Sequence, residues 1–173
     1  EDDLEWFGIE WDDGGSAGGA PWYQSCRTAI YDRYFDVLKD KGLLYPCFCS
    51  RAELHTAQAP HRSDGTYIYA GTCRNLTPEQ IAEKSKRRPP AWRVRVPERE
   101  MSFTDGCQGV YTENLAHDCG DFIIRRSDGV YGYQLAVVVD DGLMGVTEVV
   151  RGSDLLNSTP RQMYLYEQLG FAI

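Results

Sequence analysis

Three cysteines carry the clearest chemical signal in the sequence. Cys47 and Cys49 form a C-x-C pair, and Cys73 follows further along the chain. A C-x-C turn lets both thiolates reach one ion, and zinc prefers soft or borderline donors in a closed tetrahedron. A metal that holds both ends of the intervening loop would stabilise a segment too small to build its own core. We therefore predict a structural zinc site.

The fourth zinc ligand stays open on residue chemistry alone. His55, His61 and Cys107 are the generic candidates, and a histidine is favoured over a tyrosine. The alternative is a set of reduced, partly buried cysteines without metal, because free cysteine often behaves as a small hydrophobe. Cys26, Cys107 and Cys119 are expected to pack in that way.

The stretch from Asp121 to Asp154 predicts a second site, for a ligand. The stretch begins with strand-forming residues, and Asp128-Gly129 predicts a turn after them. The run from Tyr133 to Val139 is interpreted as a buried strand that ends at Asp140-Asp141. A second β-branched run, 146–150, ends at Arg151-Gly152. Ligands bind at the carboxyl ends of strands in open α/β sheets. The alternative is a hairpin and a core strand with solvated charges.

The elements that must position these residues follow from periodicity and caps. Residues 1–13 predict the end of a helix and a turn, and the glycine-rich residues 14–19 a flexible loop. The longest helix is predicted over 22–41, with its buried face at Ile30, Tyr34, Val37, Leu38 and Lys41. Helices are also predicted from Ser50 to Ala59, from Thr77 and from Thr159 to Leu169, and strands over Leu43–Phe48, Trp92–Val96 and around Gly106–Gly109.

Composition limits the partners. The chain has 173 residues, 42% of them hydrophobic, and a net charge of −8. No apolar run is long enough to span a membrane, and no signal-peptide pattern opens the chain, so reduced cysteines in the cytoplasm are expected. The acidic balance argues against general nucleic-acid binding. The basic run Lys84–Arg88, followed by Arg93, Arg95 and Arg99, is either a local patch or a solvated loop.

The string DFIIRRSDG…YQLAVVVDDGLMGVTEVVRGSDLLNSTPRQ resembles the catalytic core of the glutamyl-tRNA synthetase group. The YQLAVVVDD form is most similar to the short paralogous family, glutamyl-Q tRNA(Asp) synthetase, and EDDLEWFGIEWDD resembles that group's LxWLGxxWDE element. The resemblance implies an α/β class I aminoacyl-tRNA synthetase fold. In it, 1–46 is part of a Rossmann-like catalytic core, 47–115 is a zinc-bearing insertion, and 116–173 is the second part of the core.

The resemblance also implies an activity and its residues. The family activates L-glutamate with ATP, which carries magnesium, and transfers it to queuosine of tRNA(Asp). Positions matching Tyr133 and Arg151 contact the amino acid there. The family's Y-x-x-x-C pattern gives Tyr69 the fourth place in a zinc site with Cys47, Cys49 and Cys73.

Two family motifs, HIGH and KMSKS, are absent from these residues. The chain is therefore expected to be a partial catalytic domain, inactive alone, and a monomer is expected, although nothing in the sequence indicates the oligomeric state. The alternatives are part of a glutamyl-tRNA synthetase that charges tRNA(Glu), and a non-enzymatic, zinc-stabilised remnant that binds RNA or a partner. If the resemblance is set aside, Tyr133 is expected to be a core aromatic residue. Arg151 is then expected to be an ion-pair partner of Asp140, Asp141 or Asp154.

Overall fold

The computed structural model describes residues 1–50, 53 and 68–172. Helices within these residues are α1 (Asp2–Trp6), α2 (Gly15–Gly18), α3 (Thr28–Asp40), α4 (Pro78–Ser85), α5 (Tyr133–Met144) and α6 (Ser158–Leu169). Strands are β1 (Leu44–Cys47), β2 (Ala91–Val94), β3 (Glu100–Asp105), β4 (Gly109–Asn114) and β5 (Ile123–Arg125). Short 3-10 turns cover Ala20–Trp22, Gln24–Cys26 and Ser153–Leu155, and a π-helical turn covers Leu115–Cys119.

One antiparallel sheet of three strands carries part of the candidate metal site, and the hairpin β3–β4 forms a separate sheet. The strand order of the three-stranded sheet is β1-β2-β5. Leu44 lies opposite Val94 and Cys47 opposite Ala91, while Arg93 lies opposite Ile123 of β5. The central strand β2 comes from the range 47–115, so that range contributes to the same sheet as the segments on either side of it. The division at 46 and 115 stays a prediction.

The strand pair around Gly106–Gly109 is confirmed as the hairpin β3–β4. Asp105 stabilises its turn, because Oδ1 accepts hydrogen bonds from the backbone N–H of Cys107 at 2.8 Å and of Gln108 at 2.7 Å. Gly109 has φ +78°, a backbone conformation that residues with a Cβ atom rarely adopt. The predicted Asp128-Gly129 turn is also present, and the Val130 N–H donates to Asp128 Oδ1 at 3.2 Å.

The prediction of a strand from Tyr133 to Val139 is wrong, because these residues form helix α5. A short apolar run fits a buried strand and a buried helix equally well. Leu135, Ala136, Val138 and Val139 are all buried, a spacing that covers one helical face. The predicted second strand is also wrong: residues 146–150 adopt no regular structure, and Val150 is fully exposed.

The longest helix is shorter than predicted, and its buried face matches the predicted one only in part: Leu38 is buried, and Ile30 and Tyr34 are half-buried against the core. It begins at Thr28, after two 3-10 turns, and ends before Gly42, whose φ is +70°. Tyr31, Phe35 and Leu38 are buried, whereas Val37 is 39% exposed. Residues 14–19 also differ from the predicted loop, since 15–18 form a helical turn.

Helices α3, α5 and α6 cover the sheet and form the main core with it. Leu38, Val94, Ile124, Leu135 and Leu165 are completely inaccessible to solvent at its centre. A second, smaller cluster contains Tyr45, Cys47, Tyr69 and Cys73. Across the described part of the chain, every helix is too short or too polar to cross a membrane.

Reciprocal capping contacts are present at the starts of two predicted helices. At α4, Thr77 Oγ1 accepts from the N–H of Gln80, and Gln80 Oε1 accepts from the N–H of Thr77, which confirms the prediction. Ser50 and Glu53 make the same reciprocal pair. The rest of the predicted helix to Ala59 lies outside the described residues. Helix α6 begins at Ser158, one residue before the predicted Thr159, and Gly170 ends it with φ +76°.

Candidate metal centre and ligand cavity

The end of β1 and the turn after Tyr69 bring the predicted zinc ligands together. The sulfurs of Cys47, Cys49 and Cys73 all lie within 4.8 Å of one another. The Tyr69 hydroxyl lies 3.4 Å from Cys47 Sγ and 3.7 Å from Cys49 Sγ. Tyr69 itself is fixed from two sides: it forms a bridge with Gly120, and its Oη accepts the backbone N–H of Cys73 at 2.8 Å.

These spacings fit a tetrahedral zinc site. With Zn–S bonds of about 2.3 Å, tetrahedral angles place sulfurs about 3.8 Å apart, and an oxygen at about 2.0 Å lies about 3.5 Å from each sulfur. Cys49 Sγ and Cys73 Sγ are 3.6 Å apart, much farther than the bonded sulfurs of a disulfide. Three thiols and one phenol form the closed donor set that a structural zinc ion needs. His55 and His61, the alternative donors, lie outside the described residues.

A buried arginine completes the surroundings of this cluster. Arg93 is 5% exposed, its Nε donates to Cys47 Sγ at 3.4 Å, and its guanidinium carbon lies 3.7 Å from the centre of the Tyr69 ring. Its Nη1 donates to the backbone carbonyl of Asp121 at 2.6 Å. Zinc bound by three thiolates and a phenolate would carry net negative charge, so a fixed guanidinium beside it is stabilising.

The thiols differ in their tendency to ionise. Burial disfavours the thiolate of Cys47, but hydrogen bonds with Tyr69, the Cys49 backbone and Arg93 lower its pKa overall. Burial and the neighbouring thiols raise the pKa of Cys49 to about 12. Burial likewise raises the pKa of Tyr69 above its ordinary value. The positive charge of a divalent cation would offset the repulsion between thiolates, so the thiols that coordinate it would lose their protons.

Asp121 connects the cluster to the sheet. Its carboxylate accepts from Tyr45 Oη at 2.7 Å and from the Val96 N–H at 2.8 Å, and it is 3% exposed. Arg74, the residue after Cys73, lies 3.5 Å from the same carboxylate. This role of Asp121 could not be predicted, since no local pattern indicates that these distant segments meet there.

The other cysteines do not all behave as predicted. Cys119 is buried, as expected for a small apolar residue, and Arg161 Nε lies 2.8 Å from its sulfur. Burial raises the pKa of its thiol to about 11. Cys26 and Cys107 are exposed, so the prediction that they pack internally is wrong. They lie in a 3-10 turn and in the β3–β4 turn, where no core is available to cover them.

The basic residues after α4 separate into two groups. Lys86 and Arg87 pair with Glu83 on the exposed end of the helix, as a solvated run would. Arg93 and Arg95 are instead part of the metal region: Arg95 lies over the Tyr45 ring at 4.7 Å. The register of β1 against β2 brings them there, because Tyr45 and Arg93 lie opposite each other.

Arg151 lines a cavity of about 830 Å³ between the β3–β4 hairpin and α6. Its guanidinium donates to Gln162 Oε1 at 2.8 Å and to the Thr159 hydroxyl. Tyr133, the other predicted glutamate contact, is the first residue of α5 and is 47% exposed. It is not among the residues that line this cavity, so the structure does not bring the two together in it, and both roles stay predictions.

Asp140 and Asp141 differ although they are neighbours. Asp140 is buried and binds Arg27 Nε at 2.7 Å, Tyr31 Oη at 2.8 Å and Gln24 Nε2 at 3.0 Å. It is therefore a structural link between α3 and α5. Asp141 lines the Arg151 cavity, and burial together with the charge of Asp140 raises its pKa.

Comparison with known proteins places the chain in a family. All of residues 1–173 match the family described as "tRNA synthetases class I (E and Q), catalytic domain". A curated relative from Nitratidesulfovibrio vulgaris strain Hildenborough, named glutamyl-Q tRNA(Asp) synthetase, is 52% identical over 97% of this chain and 53% of its own length. A glutamate–tRNA ligase from Sulfurihydrogenibium is 45% identical over 99% of this chain and 37% of its own length.

Solved structures agree with this placement. The crystal structure of a glutamate tRNA ligase from Elizabethkingia meningosepticum, in complex with its amino acid, superposes with a TM-score of 0.81. It is 28% identical, and the match covers 99% of this chain and 36% of that one. The chain spans about half the length of the first of the curated relatives it matches, at 53%.

Proposed function

The chain belongs to the family of class I tRNA synthetases (E and Q), and we propose that it acts in the ATP-dependent activation of L-glutamate and its transfer to queuosine of tRNA(Asp). The observation that carries this proposal is the 52% identity, over nearly the whole chain, to a protein named glutamyl-Q tRNA(Asp) synthetase. The half-buried Arg151 side chain, which lines the cavity, supplies a group of the right chemistry, since arginine binds carboxylates in a bidentate way.

The proposed reaction has two steps. A carboxylate oxygen of L-glutamate attacks the α-phosphorus of ATP, which arrives with magnesium, and pyrophosphate leaves. An RNA hydroxyl then attacks the glutamyl carbonyl, and AMP leaves. The residues of this chain contribute binding and orientation: Arg151 holds a carboxylate, and Tyr133 contacts the amino acid. Positioning of this kind supplies much of the rate enhancement in transfers at phosphorus.

We also propose that Cys47, Cys49, Tyr69 and Cys73 hold one structural zinc ion. We expect about one zinc per chain in protein purified without chelator, because the donor set is complete and closed. Cys73→Ser should abolish zinc retention, whereas Cys107→Ser, at an exposed cysteine outside the cluster, should not change it. Zinc near zero in the unchanged protein, or equal zinc in the two variants, would refute the site.

The activity is tested by glutamate-dependent exchange between ATP and pyrophosphate, without tRNA. The protein is expressed from its complete gene and compared with the 173-residue chain alone. We expect exchange by the former and none by the latter. Arg151→Ala should raise the KM for L-glutamate without a matching change in the KM for ATP. Exchange that is insensitive to Arg151→Ala would exclude this residue from the amino-acid site.

The second candidate function is that of a glutamate–tRNA ligase acting on tRNA(Glu). It is favoured by the relative of that name, which is 45% identical over 99% of this chain. Charging assays with tRNA(Asp) that carries queuosine and with tRNA(Glu) separate the two. Product on neither RNA, together with no exchange, would leave the non-enzymatic alternative, a zinc-stabilised domain that binds RNA or a partner. A monomer in the cytoplasm, without membrane association, remains expected for all of these.

A further inference from the structure

One buried amide in the Arg151 cavity has a hydrogen-bond donor left over. Gln162 is 7% exposed, and its Oε1 accepts from Arg151 Nη1 at 2.8 Å. Its Nε2 has no partner among the described residues. Buried polar groups in folded proteins are almost always paired, so an orphan beside a cavity indicates something that binds there.

The orientation of this amide follows from its neighbour. Arginine carries only donors, so the Gln162 atom that faces Arg151 must be the oxygen. Turning the amide over would place N–H against N–H. The unpaired group is therefore a donor. It lies beside the guanidinium of Arg151, which has N–H groups in addition to the two that contact Gln162 and Thr159.

Gln134 provides a useful contrast. It is the other residue with a buried, unpaired side-chain atom in the described part of the chain, and its free atom is the acceptor Oε1. Its Nε2 donates to Ser158 Oγ at 3.0 Å, and it does not line the cavity. Of these two unpaired atoms, only the Gln162 donor therefore belongs to a residue that lines the cavity with Arg151.

We propose that Gln162 is a second binding residue for the amino acid, and that its Nε2 donates to an oxygen of the side-chain carboxylate held by Arg151. The proposal rests on the proposed function and adds a residue to its site. The charges of the cavity fit this ligand class, because Asp105 and Asp141 also line it. These carboxylates would repel a purely anionic ligand, whereas an amino acid offers them an ammonium group.

Two roles must be separated: Gln162 either binds the ligand or only orients Arg151. Gln162→Glu keeps the shape and the acceptor for Arg151 but replaces the donor with a second acceptor. Gln162→Leu removes both. Thr159→Val removes the other contact of Arg151 and leaves the Gln162 donor in place.

If Gln162 binds the ligand, Gln162→Glu should raise the KM for L-glutamate by roughly 10- to 150-fold, the range for a hydrogen bond to a charged group. It should do so at least as strongly as Gln162→Leu. It should also raise the ratio of kcat/KM for L-glutamine over L-glutamate, because a carboxylate accepts from an amide but repels another carboxylate. The KM for ATP should stay unchanged.

An orienting role alone gives a different pattern, and this pattern would overturn the proposal. Gln162→Glu would then resemble the unchanged protein, since Arg151 keeps its acceptor, and the glutamine-to-glutamate ratio would not move. If Gln162→Glu fails to fold, as judged by circular dichroism, the comparison of Gln162→Leu with Thr159→Val decides. Equal losses refute ligand contact, and a clearly larger loss in Gln162→Leu supports it.

Failure of the Gln162 proposal can be distinguished from failure of the proposed function. Binding of a panel of amino and carboxylic acids to the unchanged protein is measured first, by calorimetry. If another carboxylate binds in place of L-glutamate, the function is refuted, and the same variants still test Gln162 with that ligand. If no carboxylate binds, both proposals fail.

Discussion

The buried ion pair between Arg27 and Asp140 should be the most sensitive polar contact in the core. Asp140 is 7% exposed on α5 and Arg27 is 8% exposed before α3, and their atoms Oδ1 and Nε lie 2.7 Å apart. Asp140→Asn keeps the shape of the side chain and removes its charge. The expected result is a large loss of folding stability, because the guanidinium of Arg27 then stays buried without a counter-charge.

The magnitude follows from the contacts. Removing one partner of a buried ion pair typically costs about 3–5 kcal/mol. Asparagine can still accept one hydrogen bond, from Tyr31 or Gln24, so we expect the lower end, about 3 kcal/mol in the free energy of unfolding. Replacing both Arg27 and Asp140 with leucine should restore most of this loss, because apolar replacements of a complete pair are often nearly neutral.

The assay is urea unfolding at pH 7, followed by tryptophan fluorescence. Asp141→Asn is the matched control. The pKa of Asp141 is raised, first by burial and then by Asp140, so its folded-state value exceeds the unfolded one. Its stabilising effect is present at acid pH and lost as the pH rises through the folded-state pKa. At pH 7, Asp141→Asn is therefore expected to leave the free energy of unfolding unchanged or to raise it. Equal destabilisation by Asp140→Asn and Asp141→Asn would refute the argument.

Three further substitutions test local features. Thr77→Ala removes the capping side chain of α4 and should lower the free energy of unfolding by about 0.5–2 kcal/mol in urea melts. Gly132→Ala would place a Cβ 2.7 Å from the Ile123 carbonyl oxygen and should cost about 1–3 kcal/mol, whereas Gly106→Ala, with no atom within 4 Å, should change little. Arg93→Met should weaken zinc binding by about 10- to 100-fold in chelator competition, and unchanged affinity would show that the guanidinium does not support the site.

Local chemistry explains what the sequence predicted well. The Thr77 capping box and the turns at Gly42, Gly129 and Gly170 depend on residues a few positions apart, so they form wherever the chain places them. The C-x-C pair is local as well. The closing of the cluster by Tyr69 and Cys73 depends on tertiary structure, and only resemblance to a family indicated that Tyr69 takes part.

The wrong and missing predictions concern features that no short segment of the sequence contains. The run from Tyr133 to Val139 is apolar on nearly every residue, so its period cannot distinguish a strand from a helix. Its helical state follows from packing between α3 and α6, where Asp140 meets Arg27. The role of Arg93 depends on the register of β1 and β2, which the alternation of β2 leaves undetermined. Gln162 was missed because only a buried environment makes an unpaired amide informative.

The metal region and the helical core are separate clusters joined by strand β1. Tyr45, Cys47, Tyr69 and Cys73 form their own buried group, yet β1 contributes both Cys47 to that group and Leu44 to the main core. Asp121 reinforces the junction, because its side chain binds Tyr45 and the backbone of Val96 while its carbonyl accepts from Arg93. A zinc ion in this position would therefore act mainly on the edge of the sheet and on the Tyr69 turn. The cavity at Arg151 is lined by α6, by the β3–β4 hairpin and by the segment before α6, and none of the four predicted zinc ligands is among its lining residues, so a bound zinc ion would not touch a ligand there.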